Sequence, residues 1–384
     1  MDCPHCSTPH SEAARFCARC GTPLHASIAR DQHFAAHPDE AVRALALMST
    51  LMPHLSGRRH HAYRNAVGLA LLASLVAAGF GVLSLALVLA AVALPAVLLI
   101  YVHDHGMWRD EPLTVIVGGF LLSLGLGVGV GLFEQQFAPS VLFASPRQQL
   151  PAIGDILTLG VVLPVVAFLA LLIAPTLVTA RPRFRHPIDA VNMASLTGAA
   201  LSFGVSVVVQ RGAFSVAVAD SGDPARTAFI AVTLGFLQPI IFATAAALAV
   251  MRLRRAGADL AIGLAQGLAL VLLYELATTL LGPYGSRGVV LTTLVALVLA
   301  GAGLLAVREE LHNGLLAEAQ AALGTEGGLS RAATAGQVCA HCGAGLSTGA
   351  AFCQACGTAT ATLATPTTKA SGAAPPAPPA PSVA

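Results

Sequence analysis

The sequence predicts an all-α polytopic membrane bundle of about eight transmembrane helices, with a small four-cysteine module at each terminus. Three observations predict it. Of 384 residues, 55% are hydrophobic and only 10% charged, whereas soluble domains carry roughly a quarter charged residues. The apolar residues fall in runs of about 20, the length that crosses a bilayer as a helix. Lipid offers no partner to an open backbone, so each run must be helical. Finally, the eight cysteines fall into two clusters of identical spacing, one near each end of the chain.

Taken in order, residues 1–24 form the first cysteine module. Residues 25–64 are a linker in which "DEAVRALALMSTLM" has amphipathic helical spacing, with Asp39 and Glu40 suited to a helix N-terminus. "GRRHHAYR" then sets Arg58, Arg59 and Arg64 beside the first apolar run. That run, from Asn65 to Tyr101, is too long for one span, and Gly79 and Gly81 mark a tight turn within it. Further spans follow at roughly 112–133, 154–178, 188–210, 228–251, 259–281 and 288–307, which closes a membrane domain of residues 65–307. A polar helix and linker occupy 308–335, and the second module 336–358. Residues 359–384, rich in Pro, Ala and Thr, cannot build a core and are expected to be disordered.

No secretory signal precedes the first module, so the N-terminus is expected to begin in the cytosol. With that orientation the inner flanks hold Arg58, Arg59, Arg64, Arg109, Arg181, Arg183, Arg185, Arg252, Arg254, Arg255 and Arg308. The outer loops hold only Arg147, Arg211, Arg226 and Arg287. This asymmetry predicts an even number of spans and two cytosolic termini. The Ala-, Leu-, Gly- and Arg-rich composition fits a GC-rich bacterial genome, hence the bacterial cytoplasmic membrane. A net charge of +2 does not point to nucleic acid. The expected partners are the lipid membrane and a cytosolic protein that docks on the terminal modules.

Each module reads C-x2-C-x10-C-x2-C: Cys3, Cys6, Cys17 and Cys20 in the first, Cys339, Cys342, Cys353 and Cys356 in the second. Four thiolates suit a tetrahedral, closed Zn2+ site. Segments this short cannot bury enough apolar surface to fold alone, so metal binding supplies the folding free energy. Two structural zinc ions are expected. A reducing cytosol disfavours the disulfide alternative. Phe16 and Phe352 precede the third cysteine of each module, and Gly21 and Gly357 follow the fourth. These segments resemble the small bacterial zinc-ribbon family, whose modules dock to proteins. His5 and His341 lie between ligands but are not needed as ligands.

Within the membrane domain, "DHGMWRDEPLTVIVGGFLLSLG" and "FRHPIDAVNMASLTGAALSFG" resemble the PrsW-type intramembrane metalloprotease family over about residues 65–305. Arg109, Asp110, Glu111 and Pro112 match its acidic loop. Pro187, Ile188, Asp189, Gly198, Leu201 and Phe203 follow its later helix. The resemblance implies Glu or His ligands that are missing here: "LLIAPTLVTARPRF" has no carboxylate, Val207 stands where a Glu is required, and "GLAQGLALVLLYELATT" has no histidine. Such a site needs metal ligands and a base, so the expectation is a degenerate member without catalytic residues. Glu275, with Tyr274, lies mid-span, where an ionisable group is costly. Together with Glu134 and Asp189 it forms the possible intramembrane polar site. Three readings stay open: a non-catalytic anchor presenting two cytosolic ribbons, an active PrsW-type protease, and a transporter or channel using a cavity at Glu275.

Overall fold

The computed structural model describes most of residues 2–24, then residues 47–52, 57–104, 113–137, 151–181, 187–209, 224–253, 258–323 and 345–355. Among these there is no strand; isolated bridge residues are Asp2 and Pro9, which pair with each other, and Phe16, Gly345 and Phe352. A short helix α1 (Leu47–Leu51) leads into α2 (Gly57–Gly79), α3 (Leu83–Asp104) and α4 (Leu113–Phe137). Then follow α5 (Ile153–Thr179), α6 (Pro187–Val209), α7 (Pro224–Leu253), α8 (Ala258–Leu281) and α9 (Gly285–Leu323).

Seven stretches are long and apolar enough to cross a bilayer. The last of them, Asp259–Gly314, holds 56 residues. As one rod it would reach about 84 Å, against a hydrocarbon core of about 30 Å. It turns back instead. A 3-10 turn at Gly282–Tyr284 is followed by Gly285 at φ 65. A Cβ on Gly288 would sit 1.8 Å from the Leu281 carbonyl oxygen, so the corner admits no side chain there. Helices α8 and α9 are each long enough to cross, in keeping with the separate spans expected at 259–281 and 288–307.

The glycine turn between α2 and α3 forms as its sequence predicts: Gly81 takes φ 75 and the Ser74 hydroxyl donates to the Ala86 carbonyl at 2.8 Å. Two boundaries differ from the sequence reading. Helix α2 begins at Gly57, inside the expected linker, because basic and histidine residues continue a helix as readily as apolar ones. Helix α9 runs unbroken through 307–308, because no glycine, proline or capping residue interrupts it there. The first helical turn expected at Asp39 and Glu40 lies outside the described residues, as do the 359–384 tail and most loop arginines.

Helices α6 and α7 form the centre. The membrane-length window of α7 is entirely enclosed by protein. Its alanines 243, 245, 246, 247 and 249 have no exposed surface, so neighbouring backbones approach closely. Helix α4 packs along α6 through Gly119, Ser123, Gly127 and Gly131, one small residue per turn on its buried face. The Ser123 hydroxyl donates to the Thr197 carbonyl at 2.7 Å. A Cβ on Gly127 would meet the Leu201 carbonyl oxygen at 2.1 Å, and one on Gly204 the Leu124 carbonyl oxygen at 2.3 Å. At the end of α7, Arg252 pairs with Glu310 of α9.

The close contact exposes a repeat that the sequence reading missed. "GFLLSLG" (119–125) in α4 corresponds to "GAALSFG" (198–204) in α6. "TLGVVLP" (158–164) in α5 corresponds to "TLGFLQP" (233–239) in α7. Two successive helical hairpins therefore share a pattern. Both T-L-G-x3-P segments take the same irregular turn: Leu163 N–H donates to Thr158, and Gln238 N–H to Thr233, each five residues back. The cause is local. A proline cannot donate to the carbonyl four residues before it, and its ring presses on that carbonyl. Widening the turn by one residue relieves both. Each threonine hydroxyl also donates to the carbonyl one turn back, at 2.8 Å.

Candidate metal centre

The N-terminal module is two tight turns facing each other. In the first, Ser7 N–H donates to the Cys3 carbonyl at 2.9 Å and Cys3 N–H to the Thr8 carbonyl at 3.0 Å, with Ser7 at φ 55. In the second, Gly21 N–H donates to the Cys17 carbonyl at 2.9 Å, with Gly21 at φ 72, a conformation that glycine adopts without cost. These bends aim four sulfurs at one point. All four Sγ atoms lie within 4.8 Å of one another. Cys3 and Cys20 sulfurs are 3.6 Å apart, and those of Cys6 and Cys17 are 3.5 Å apart. A tetrahedron with Zn–S near 2.3 Å has edges of about 3.8 Å, so the donor set fits zinc closely and is far from the ~2.05 Å of a disulfide.

The surroundings manage the thiolate charge. Arg19 and Cys20 amides donate to the Cys17 sulfur at 3.4 and 3.3 Å. The His10 Nε2 stands 3.1 Å from the same sulfur. Sequence reading weighed His5 and passed over His10, which lies outside the C-x2-C pair and is brought in by the loop. Thr8 hydrogen bonds, the side-chain hydroxyl at 3.2 Å foremost, hold the Cys6 thiol down at about 6, whereas burial pushes the Cys17 thiol up to about 12. One ligand is thus ready to give up its proton and another needs the metal to do so.

The other end of the chain meets this module. Arg15 and Phe16 amides both donate to the Gln354 carbonyl at 3.0 Å. In return, Ala351 and Phe352 amides donate to the Ala18 carbonyl at 2.8 and 2.9 Å. The match is residue for residue, since Phe16-Cys17-Ala18 pairs with Phe352-Cys353-Gln354. The turns leading in also match: Ala14 N–H donates to Ser11 at 3.1 Å and Ala350 N–H to Ser347 at 3.0 Å. Cys17 and Cys353 are both completely buried. The Phe352 ring lies over Gly21, where a Cβ would come within 2.9 Å of it. The two ends of the chain therefore meet. Cys339, Cys342 and Cys356 lie outside the described residues, and Cys3, Cys6, Cys17 and Cys20 are the one four-thiol cluster among those described.

Residues 3–24 match the zinc-ribbon domain family. The four cysteines of this ribbon form its zinc-binding site. No curated protein and no solved structure matches the chain.

The membrane residues singled out by sequence divide into two groups. Glu134 of α4 and Glu275 of α8 stand within electrostatic range of each other and of the Tyr274 hydroxyl. The Thr278 hydroxyl reaches the Glu275 carboxylate at 3.3 Å. The irregular turn of α5 packs beside them, with Gly160 against Leu276. The Tyr274 hydroxyl is buried and makes no hydrogen bond. Asp189 does not join this group. It lies in the first turn of α6, while Gln135, next to Glu134, reaches the Val208 carbonyl near that helix's other end. Nineteen residues of helix put Asp189 about 28 Å away along the axis.

The PrsW-type resemblance finds no support. Val207, where that family needs a carboxylate, points to the outside of the bundle with 38% exposure. Phe203 is partly exposed beside it. The acidic loop at 109–112 lies outside the described residues.

Proposed function

We propose that this is a non-catalytic membrane protein that anchors two zinc ribbons at the cytosolic face and presents them as a docking and regulatory module. The reading rests chiefly on one observation, the residue-for-residue pairing of Arg15–Ala18 with Ala351–Gln354. A segment that copies the hydrogen bonds, burial and aromatic neighbour of the N-terminal zinc knuckle supports a second ribbon, with Cys353 joined by Cys339, Cys342 and Cys356. The meeting of the two ends favours an even number of crossings, and the arginine asymmetry favours the cytosolic side for both. Four-thiolate sites are closed and leave no position for substrate, so the ribbons hold partners rather than perform chemistry.

The test is metal content. The full chain, purified in detergent under reducing conditions, is expected to carry two zinc ions. Cys3→Ser with Cys6→Ser leaves one, and adding Cys339→Ser with Cys342→Ser leaves none. A wild-type content of one ion removes the second ribbon. An ion that survives all four substitutions places a metal in the bundle and revives the protease reading.

A second reading is favoured by the paired irregular turns. Irregular turns at matching places in two repeated hairpins resemble the broken helices from which transporters build a site, and one such turn lies beside Glu275 and Glu134. On this reading the bundle also passes protons or a monovalent cation through that polar group.

A further inference from the structure

The pairing of the two ends has a consequence for when the ribbons are available to anything else. Resting on the two-ribbon reading above, we propose that the ends form a zinc-dependent latch: metal at each ribbon holds the edge that grips the other, and loss of metal releases both edges together. The geometry carries it. Each third cysteine stands between a donor and an acceptor of the cross-contacts. Cys17 has Phe16 donating on one side and Ala18 accepting on the other, and Cys353 stands likewise between Phe352 and Gln354. The Cys17 sulfur is also held by the amides of Arg19 and Cys20, inside the turn that ends at Gly21. A metal that fixes Cys17 thereby fixes the Ala18 carbonyl and the floor on which Phe352 lies. Zinc knuckles of this size do not hold their fold without metal, so the edge exists only in the loaded state.

The contact consists of four main-chain hydrogen bonds and one ring seated on a glycine. That is far below the area that sustains association between separate proteins. Here both partners are tethered to one bundle, and short tethers raise the effective concentration to about the millimolar range. The occupant of the Arg15–Gly21 edge is therefore the chain's own C-terminal segment rather than a second copy. While the latch is closed, both edges are withheld from other partners. Because each ribbon binds better when the other is loaded, zinc uptake at the two sites is mutually cooperative, and the effect is reciprocal.

The experiment uses the full chain in nanodiscs, with spin labels introduced by non-canonical amino acids at the exposed Ser11 and Thr348. Pulsed electron resonance reads the distance between them, and metal content is measured on the same samples. The zinc-loaded protein gives a short, narrow distribution, and a strong chelator broadens and lengthens it. Phe352→Ala and Gly21→Asn, the latter tolerated at positive φ but bringing a Cβ against the ring, keep two zinc ions and give the broad distribution. In Phe352→Ala the N-terminal site binds zinc at least about fivefold more weakly, the lower end of ordinary coupling between sites. The latch is overturned if chelation leaves the distance short and narrow, or if either substitution keeps both ions and the narrow distance. Should Gly21→Asn lose zinc, Phe352→Ala alone decides. A wild-type protein with fewer than two ions refutes the two-ribbon reading itself, which separates that failure from failure of the latch.

Discussion

Substituting the glycines of the α4–α6 seam tests whether close backbone approach sets the bundle. Gly127→Ala places a Cβ 2.1 Å from the Leu201 carbonyl oxygen, and ordinary contact begins at 3.4 Å. The helices must part by about 1.3 Å (3.4 less 2.1), because a backbone carbonyl in a helix cannot rotate away. Overpacking of this kind costs about 1–3 kcal/mol. The separation also stretches the 2.7 Å bond from Ser123 to Thr197, a further ~0.6 kcal/mol for an interhelical bond in a membrane protein. The expected loss is about 2–3 kcal/mol, and Gly204→Ala, which meets the Leu124 carbonyl oxygen from the other helix at 2.3 Å, should match it. Gly125→Ala and Gly129→Ala are the controls. Nothing lies within 4 Å of a Cβ at either, so they should leave stability unchanged or raise it by up to about 1 kcal/mol through helix propensity. The assay is SDS titration in mixed micelles, followed by near-ultraviolet circular dichroism. Equal losses at Gly125 and Gly127 would refute the seam, as would a neutral Gly204→Ala.

Two further predictions concern the thiols and Glu275. The metal-free module does not hold its fold, so Cys6 and Cys17 both begin near the ordinary thiol value of ~8.5 and are almost wholly protonated at pH 7. Zinc binding therefore releases about one proton from each. Calorimetry in buffers of different ionisation enthalpy should show proton release falling by about one in Cys17→Ser and by about one in Cys6→Ser. A decrement of only about 0.1 in Cys6→Ser would mean that the metal-free turns already hold the geometry that keeps its thiol at about 6. For Glu275, Gln keeps the shape and can still accept from Thr278, so Glu275→Gln should stay within about 1 kcal/mol of wild type. If the bundle conducts protons or cations, the same substitution in proteoliposomes abolishes the flux. Equal flux with and without Glu275 ends the second reading.

What the sequence made legible follows from how each signal is encoded. Spans are legible because lipid enforces a run of apolar residues, and the zinc centre because four cysteines at fixed spacing have few other uses. His10 was not legible, since its approach to Cys17 depends on the path of the loop between the two turns. Among the glycines, spacing alone offered two equivalent faces, Gly125 with Gly129 and Gly127 with Gly131. Only the position of α6 distinguishes them: Gly127 and Gly131 are buried against it, and Gly125 and Gly129 face open space. The grouping of Glu134 with Glu275 and the exclusion of Asp189 likewise depend on which helix ends share a level, a property of the assembled bundle. The T-L-G-x3-P repeat was present in the letters throughout. It becomes informative when both copies widen a helix turn in the same way.

A local contact bears on a global property, the number of crossings. By hydropathy alone α8 and α9 run together as the last of seven stretches, whereas the spans expected from sequence at 259–281 and 288–307 stand apart. The four hydrogen bonds between Arg15–Ala18 and Ala351–Gln354 favour an even number of crossings, because no backbone reaches its partner across about 30 Å of hydrocarbon. The turn at Gly282–Gly285 supplies the missing reversal, and its crowded Gly288 explains why a stretch so uniformly apolar nevertheless folds back. The contact between the ends and the corner in the membrane thus constrain each other. A bulky residue at Gly288 that straightened the corner would separate the two ends without touching either.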